Sequence, residues 1–257
     1  MNFERKVTLY RAITLTLFVV LWELSVQLGA INGFWISSPS KIAVRTYELC
    51  VDGEIFRHTF LTLLEAFSGL LAGVVVGFIL GVVLGASRIL GKVLEPFVMA
   101  INSLPRVALA PLLVMYVGIG FASKFLLAFS LVVVLIMVNT FEGIRSVDQN
   151  LVNAMRILGA SRFQMFRQVL IPNCVPWILA GLRVSVSFSI VGAIVGEFIS
   201  SQAGIGYMID KASGAYDTTG MMVPLLVLMT CAVLIDFLIV QLSKHFLRWR
   251  PTKVEED

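Results

Sequence analysis

The sequence predicts an all-α integral membrane protein with six transmembrane helices. Three observations predict it. Of 257 residues, 58% are hydrophobic and only 14% are charged, and the apolar residues fall into runs long enough to span at about 12–31, 60–86, 96–117, 122–141, 175–199 and 221–242. A soluble domain is nearer a quarter charged, so the composition excludes a disordered chain and argues against a soluble enzyme. A span needs roughly 20 apolar residues. In lipid each backbone amide must find its partner inside the segment, which makes these runs helices.

The first run is read as a retained helix and not as a cleavable signal. Glu23 interrupts it, no small-residue cleavage site follows, and it is long enough to span. With the N-terminus in the cytoplasm, the inside segments hold thirteen Lys and Arg residues, among them Arg145, Arg156, Arg162 and Arg167. The outside segments hold five: Lys41, Arg45, Arg57, Lys124 and Lys211. This asymmetry predicts both termini in the cytoplasm. It also accounts for the net charge of +4 through anionic headgroups of the bilayer, with no nucleic acid as partner.

In the second span Gly69, Gly73, Gly77, Gly81 and Gly85 recur every fourth residue. They make a smooth stripe on which another helix backbone can approach closely, within the subunit or at a subunit interface. The third span is irregular: Pro105 and Pro111 remove backbone donors, and Arg106 lies between them. A charge within the membrane is costly unless paired or hydrated, which makes Arg106 a functional candidate, with pairing to Glu65 as the structural alternative. Glu65 and Glu197 fall towards the outer leaflet and Arg183 towards the inner. Arg183 and Glu197 are about 21 Å apart on one helix, too far to pair with each other.

Cys50, Cys174 and Cys231 lack C-x-x-C spacing, and His58 and His245 stand alone, so no metal site or disulfide framework is expected. G-x-S-x-G and H-E-x-x-H are missing. Residues 85–92, Gly-Ala-Ser-Arg-Ile-Leu-Gly-Lys, approach a phosphate loop but hold one residue too many between the glycines. Val93 stands where a magnesium-holding Ser or Thr belongs. No catalytic residues or cofactors are therefore assigned to this chain, and any ATP and Mg belong in a partner.

Between the fourth and fifth spans, residues 150–172 are too polar to cross. Leu151, Ala154, Met155 and Leu158 share a face at helical spacing, and Gly159 stops that helix. Ser161 and Gln164 predict a capping box opening a second helix, with Phe163, Phe166, Val169 and Leu170 on its apolar face and Pro172 closing it. Two short amphipathic helices around a glycine turn are either a linker resting on lipid or a platform for a soluble partner.

The segment Ala154-x4-Gly159-Ala160-Ser161-x7-Val169-Leu170-Ile171-Pro172 resembles the signature loop of binding-protein-dependent ABC importer permeases: E-A-A, three residues, G, nine residues, I-x-L-P. Asn153 replaces the Glu and Met155 the second Ala. Further ordered matches run from about residue 38 to 250. They include Ser38-Pro39-Ser40, Leu104 to Leu112 with Gly118-Ile119-Gly120, Asn139-Thr140, Gly143-Ile144-Arg145, and Val195-Gly196-Glu197-Phe198 with Gly204-Ile205-Gly206-Tyr207.

They are similar to the branch importing nitrate, sulfonates and taurine, thiamine precursors, riboflavin or aromatic acids. Ala212-Ser213-Gly214 and Tyr216-Asp217-Thr218 lean towards the pyrimidine, riboflavin and aromatic-acid members. Glu65 departs from the Arg often found there.

The resemblance implies a type I ABC importer transmembrane fold in the bacterial inner membrane. Residues 1–57 would form the N-terminal tail, first helix and external segment. Residues 58–245 would form the core, with a coupling loop at 148–172, and 246–257 a cytoplasmic tail. It further implies a second permease copy in a homodimer, two ATPase subunits and an extracytoplasmic solute-binding protein. The coupling residues would be Asn153, Ala154, Leu158, Gly159, Ala160, Ser161, Phe163, Phe166 and Pro172. Asn102, Arg106, Ser185, Ser189 and Glu197 are expected to line the path. The rival reading is a secondary transporter or channel working without an ATPase.

Overall fold

The computed structural model describes residues 3–200 and 202–246; most of the expected cytoplasmic tail, 246–257, lies outside them. All regular structure among the described residues is helical. In chain order the helices are α1 (Phe3–Gln27), α2 (Pro39–Val51), α3 (Glu54–Ala86), α4 (Arg88–Ser103), α5 (Ala110–Val117) and α6 (Phe121–Arg145). Then come α7 (Gln149–Ile157), α8 (Arg162–Met165), α9 (Ile171–Ser200), α10 (Ile205–Gly214) and α11 (Thr218–Phe246). Five continuous helical stretches are long and apolar enough to cross a membrane. The third expected span is instead a pair, 89–103 and 106–117, bent by 75°.

Pro105 accounts for the bend. It has no N–H to continue α4 and disfavours helical geometry at Leu104, which is extended at φ −65°, ψ 131°. One short 3-10 turn, Arg106–Leu109, then leads into α5, with Pro111 harmless in its first turn. Two further helices, α2 and α10, lie between the spans. Ser38 caps α2, its hydroxyl accepting from the Lys41 N–H at 3.4 Å, and Pro39 supplies the preset first turn.

The core is a three-helix layer in which α6 packs along both α3 and α9. The glycine ladder makes the first of these contacts and belongs to packing within the chain. A Cβ on Gly69 would lie 2.6 Å from the Ala128 Cβ, on Gly73 2.7 Å from Val132, and on Gly81 2.5 Å from Thr140. On Gly77 it would meet the Val133 carbonyl at 2.5 Å, and on Gly85 the Ile144 Cβ at 2.8 Å. From α9, Gly192 presents the same smoothness to Ala128. Both neighbours thus close on α6 at backbone distance, where van der Waals contact is greatest.

Ile136, Val132, Leu70, Ile190, Ala193, Ile205 and Val223 fill the space around this layer. By contrast α1 leaves Leu15, Phe18 and Leu24 exposed and is tied on by polar bonds: the Trp22 indole donates to the Ser37 carbonyl at 2.9 Å, and Glu23 accepts from the Ser40 N–H and hydroxyl.

Replacing Gly77 with Leu is expected to destabilise the α3–α6 pair by about 1–3 kcal/mol or prevent assembly, because the obstacle is backbone. Gly214→Ala, where a Cβ meets nothing within 4 Å, should be neutral. Thermal denaturation of the detergent-purified proteins measures both.

Candidate functional site

At one end of the bundle the chain turns from α6 into α7. Asp148 caps α7 through the Asn150 N–H at 2.8 Å. The helix ends in a Schellman closure around Gly159 at φ +76°: the Ala160 N–H reaches the Met155 carbonyl at 3.0 Å, and the Gly159 N–H reaches Arg156 at 3.0 Å. Only glycine adopts that backbone without strain. Ser161 then opens α8 with a closed capping box, Gln164 N–H to Ser161 Oγ at 3.2 Å and Ser161 N–H to Gln164 Oε1 at 2.8 Å.

The second loop helix does not end at Pro172. A π turn over Phe166–Leu170 carries it into α9, so helix runs from Arg162 to Ser200. A wide turn fits here because Pro172, without an N–H, cannot make the bond an α-helix would require.

The loop's apolar side chains divide differently from the expected faces. Val152 and Val169 are buried with Val147 and packed by Met155, Met165 and Leu170. Leu151 is half exposed, whereas Ile157, Leu158 and Phe163 are 87%, 80% and 68% exposed. Asn153, Ala154 and Ser161 are also exposed, and Ala160, Phe166 and Pro172 are half-buried. An inner seam thus holds the loop to the bundle, and an outer apolar knob stands around Gly159.

The expected path residues fall in three places. Arg106 is half-buried at the break after α4; its guanidinium donates to the Ser130 and Leu131 carbonyls of α6, both at 3.2 Å, and to the Asn102 Oδ1 at 3.1 Å. Its alternative partner, Glu65, is engaged elsewhere. Ser185 and Ser189 are buried on α9; the Ser189 hydroxyl bonds back to Val186, and the Ser185 hydroxyl has no hydrogen-bond partner among the described residues. Glu197 sits at the opposite end of the bundle from the loop. No hydrogen bond or ion pair joins Arg106 to Glu197 among the described residues.

Glu197 is 1% exposed and acts on the fold. Its carboxylate accepts from the Thr62 hydroxyl at 2.7 Å and from the Gly206 N–H. Thr62 in turn accepts from the Ile205 N–H at 2.8 Å, and His58 Nδ1 from the Gly204 N–H at 2.8 Å. The N-terminal amides of α10 are therefore held by side chains of α3 and α9. Gly204 and Gly206 leave room for this: a Cβ at Gly204 would fall 2.0 Å from the Glu197 carboxylate.

Beside this cluster Lys124 Nζ lies 3.2 Å from Glu65 Oε1, with both side chains under one-tenth exposed. The sequence places Lys124 in an outside segment and shows His58 as isolated; both are buried. The signal was available for Lys124, since a carboxylate inside an apolar span demands a counter-charge on a neighbouring helix. Arg183, facing the same demand, bonds Asp236 of α11 at 3.0 and 3.1 Å. The near-phosphate-loop 85–92 is folded as a helix junction, with Gly85 pressed on Ile144 and Gly91 on the Leu84 carbonyl.

The comparisons agree with this architecture. Residues 73–248 match the family described as binding-protein-dependent transport system inner membrane component. Over 240 residues the chain is 35% identical to the riboflavin transport system permease protein RibX of Chloroflexus aurantiacus, covering 93% of this chain and 90% of that one. It is 29% identical over 232 residues to SsuC of Bacillus subtilis, a permease protein named for aliphatic sulfonate transport, covering 90% and 84%. In fold it resembles a chain of the inward-facing MetNI methionine ABC transporter, with a TM-score of 0.68 at 20% identity over 76% of this chain and 97% of that one. The chain belongs to the binding-protein-dependent transport family and is a multi-span permease subunit of a type I ABC importer.

Removing one member of the buried pair, as in Lys124→Met, should cost about 3–5 kcal/mol because a buried charge is left alone. The double variant Glu65→Gln with Lys124→Met should recover most of that loss. A double-mutant cycle on unfolding in detergent or bicelles reads the coupling.

Proposed function

We propose that the 148–172 loop is the handle by which separate ATPase subunits drive this permease. The observation that supports it is the exposed knob of Ile157, Leu158 and Phe163 around Gly159, carried on a loop whose other face is packed into the bundle. A linker lying on lipid would have no need of two caps, a closed glycine turn and a packed seam. Such a handle transmits force because α8, the π turn and α9 form one continuous helical stretch.

In this reading Asn153, Ala154, Leu158, Gly159, Ala160, Ser161, Phe163 and Phe166 contact a groove on the ATPase, with Pro172 at the hinge into α9. ATP and Mg are bound by that partner. Both termini and the loop face the cytoplasm, in keeping with the Lys and Arg distribution. Two copies of the chain enclose the path as a homodimer, and an extracytoplasmic binding protein delivers the solute at the α10 end. ATP-driven closure of the ATPase dimer brings the two loops together and rocks the bundles outward-open; hydrolysis restores the inward-facing state.

For the solute, the riboflavin-named relative shares 35% identity with this chain, against 29% and 32% for two sulfonate-named relatives. The ranking supports a riboflavin-like solute, and the residues at 212–218 widen the class to pyrimidine- and aromatic-acid-like molecules. A thermal-shift screen of the binding protein encoded beside this chain tests that class directly.

Arg106 and Asn102 flank the bend and are proposed to meet solute in the path, whereas Ser185, Ser189 and Glu197 shape it from within the protomer. Arg106→Ala is expected to lower uptake without lowering yield; loss of both would give Arg106 a structural role.

Gly159→Val should abolish ATPase co-purification and transport while membrane insertion and yield stay normal, since a Cβ there meets no atom of this chain within 4 Å and only the left-handed turn is disturbed. Transport at the unsubstituted rate would remove the reading. A secondary transporter or channel would retain no ATPase on purification even without substitution.

A further inference from the structure

A cleft of about 1140 Å³ opens between the α3–α4 junction, the end of α6 and the 148–172 loop. Among the described residues its charged lining is Lys92, Arg145, Arg156 and Arg162, without one carboxylate. Arg145 is compensated, 3.0 Å from Glu95 and stacked over the Phe141 ring. Lys92, Arg156 and Arg162 make no ion pair among the described residues. Like charges gathered around one cleft repel, and an anion held between them removes that repulsion.

The cleft is not wholly polar. Ile89 and Phe166 line it. Ile89 also begins an apolar stripe on α4, continued by Val93 and Phe97 one and two turns on; the three are 80%, 59% and 62% exposed. A helix with such a stripe beside cations lies at a bilayer boundary, its apolar face among acyl chains. The mouth therefore offers cationic anchorage at one point and a greasy track leading away from it. Of the side chains proposed to meet the ATPase, Leu158 and Phe163 do not line the cleft and Ala160, Ser161 and Phe166 do, so a partner on the loop meets the cleft along its loop wall and leaves the Ile89 and Lys92 wall to the lipid.

We propose that this cleft binds the phosphate headgroup of an anionic phospholipid, with an acyl chain along Ile89, Val93 and Phe97. The bound lipid then bridges α4 and the coupling loop, joining Lys92 on one to Arg156 and Arg162 on the other. The inference rests on the loop end facing the cytoplasmic leaflet, as proposed above. It adds a lipid partner to the handle.

The test uses the full complex with its ATPase subunits, titrated in detergent with phosphatidylglycerol or phosphatidylcholine of the same acyl chains and read by native mass spectrometry. Phosphatidylglycerol should bind in preference. In Lys92→Gln/Arg156→Gln/Arg162→Gln its affinity should fall on the order of a hundredfold, while the ATPase subunits remain bound. Soluble glycerol phosphate should not displace it.

Equal binding of the two lipids, unchanged phosphatidylglycerol binding by the triple variant, or displacement by glycerol phosphate would each overturn the proposal, the last by assigning the cleft to a soluble anion. The lipid comparison and the competition need no variant, so they decide the matter even if the triple variant fails to assemble. Failure of the unsubstituted permease to retain an ATPase would sink the handle reading alone, because the two lipids can still be compared on the isolated permease.

Discussion

The structure depends on how closely α3 and α9 approach α6. In lipid, apolar side chains gain little by leaving the solvent, because the solvent is itself apolar; helices associate through dispersion contact and the polar bonds that dispersion distance permits. Gly69, Gly73, Gly77 and Gly81 bring the α3 backbone against Ala128, Val132, Val133 and Thr140, and Gly192 does the same from α9. A larger residue at these positions would separate the backbones and loosen every contact that follows.

That close layer makes the buried polar cluster possible. Glu65 and Lys124 can pair at 3.2 Å because their helices already touch, and Glu197 can reach Thr62 on α3 for the same reason. The cluster converts helix packing into the placement of a further element. By accepting the backbone donors of Gly204, Ile205 and Gly206, the side chains of His58, Thr62 and Glu197 fix where α10 begins. Unpaired, those amides and carboxylates would each cost several kcal/mol in a lipid-surrounded interior, so the arrangement holds together or fails as a unit. Packing at the other end works without buried charge: Val147, Val152 and Val169 seat the loop and turn its knob outward.

Much of this was legible in the residues. The helix starts and stops around Gly159 and Ser161 follow from local rules, since a left-handed turn and a capping box involve only neighbours in the chain. The ladder of glycines announced a close helix contact, and Pro105 with Pro111 announced an interrupted span. Other features were not legible. The faces of the loop were misassigned because Leu151 and Val152 are both apolar, and only the seam formed with Val169 selects Val152 for burial. Nor does the sequence say which way a polar side chain of a span faces: Ser185, Ser189 and Glu197 turn into the protomer while Arg106 turns to α6.

The sequence by itself determined the membrane class, five of the spans with their approximate limits, the interruption of the sixth at Pro105, and the caps and turn of the loop. Each of these rests on composition or on contacts within a few residues. Tertiary structure alone decided that the glycine ladder serves α6 of the same chain, that Lys124 answers Glu65, and that Glu197 secures α10. Those outcomes depend on which helices become neighbours and on the rotation of each about its axis, and a buried charge declares the need for a partner without naming it.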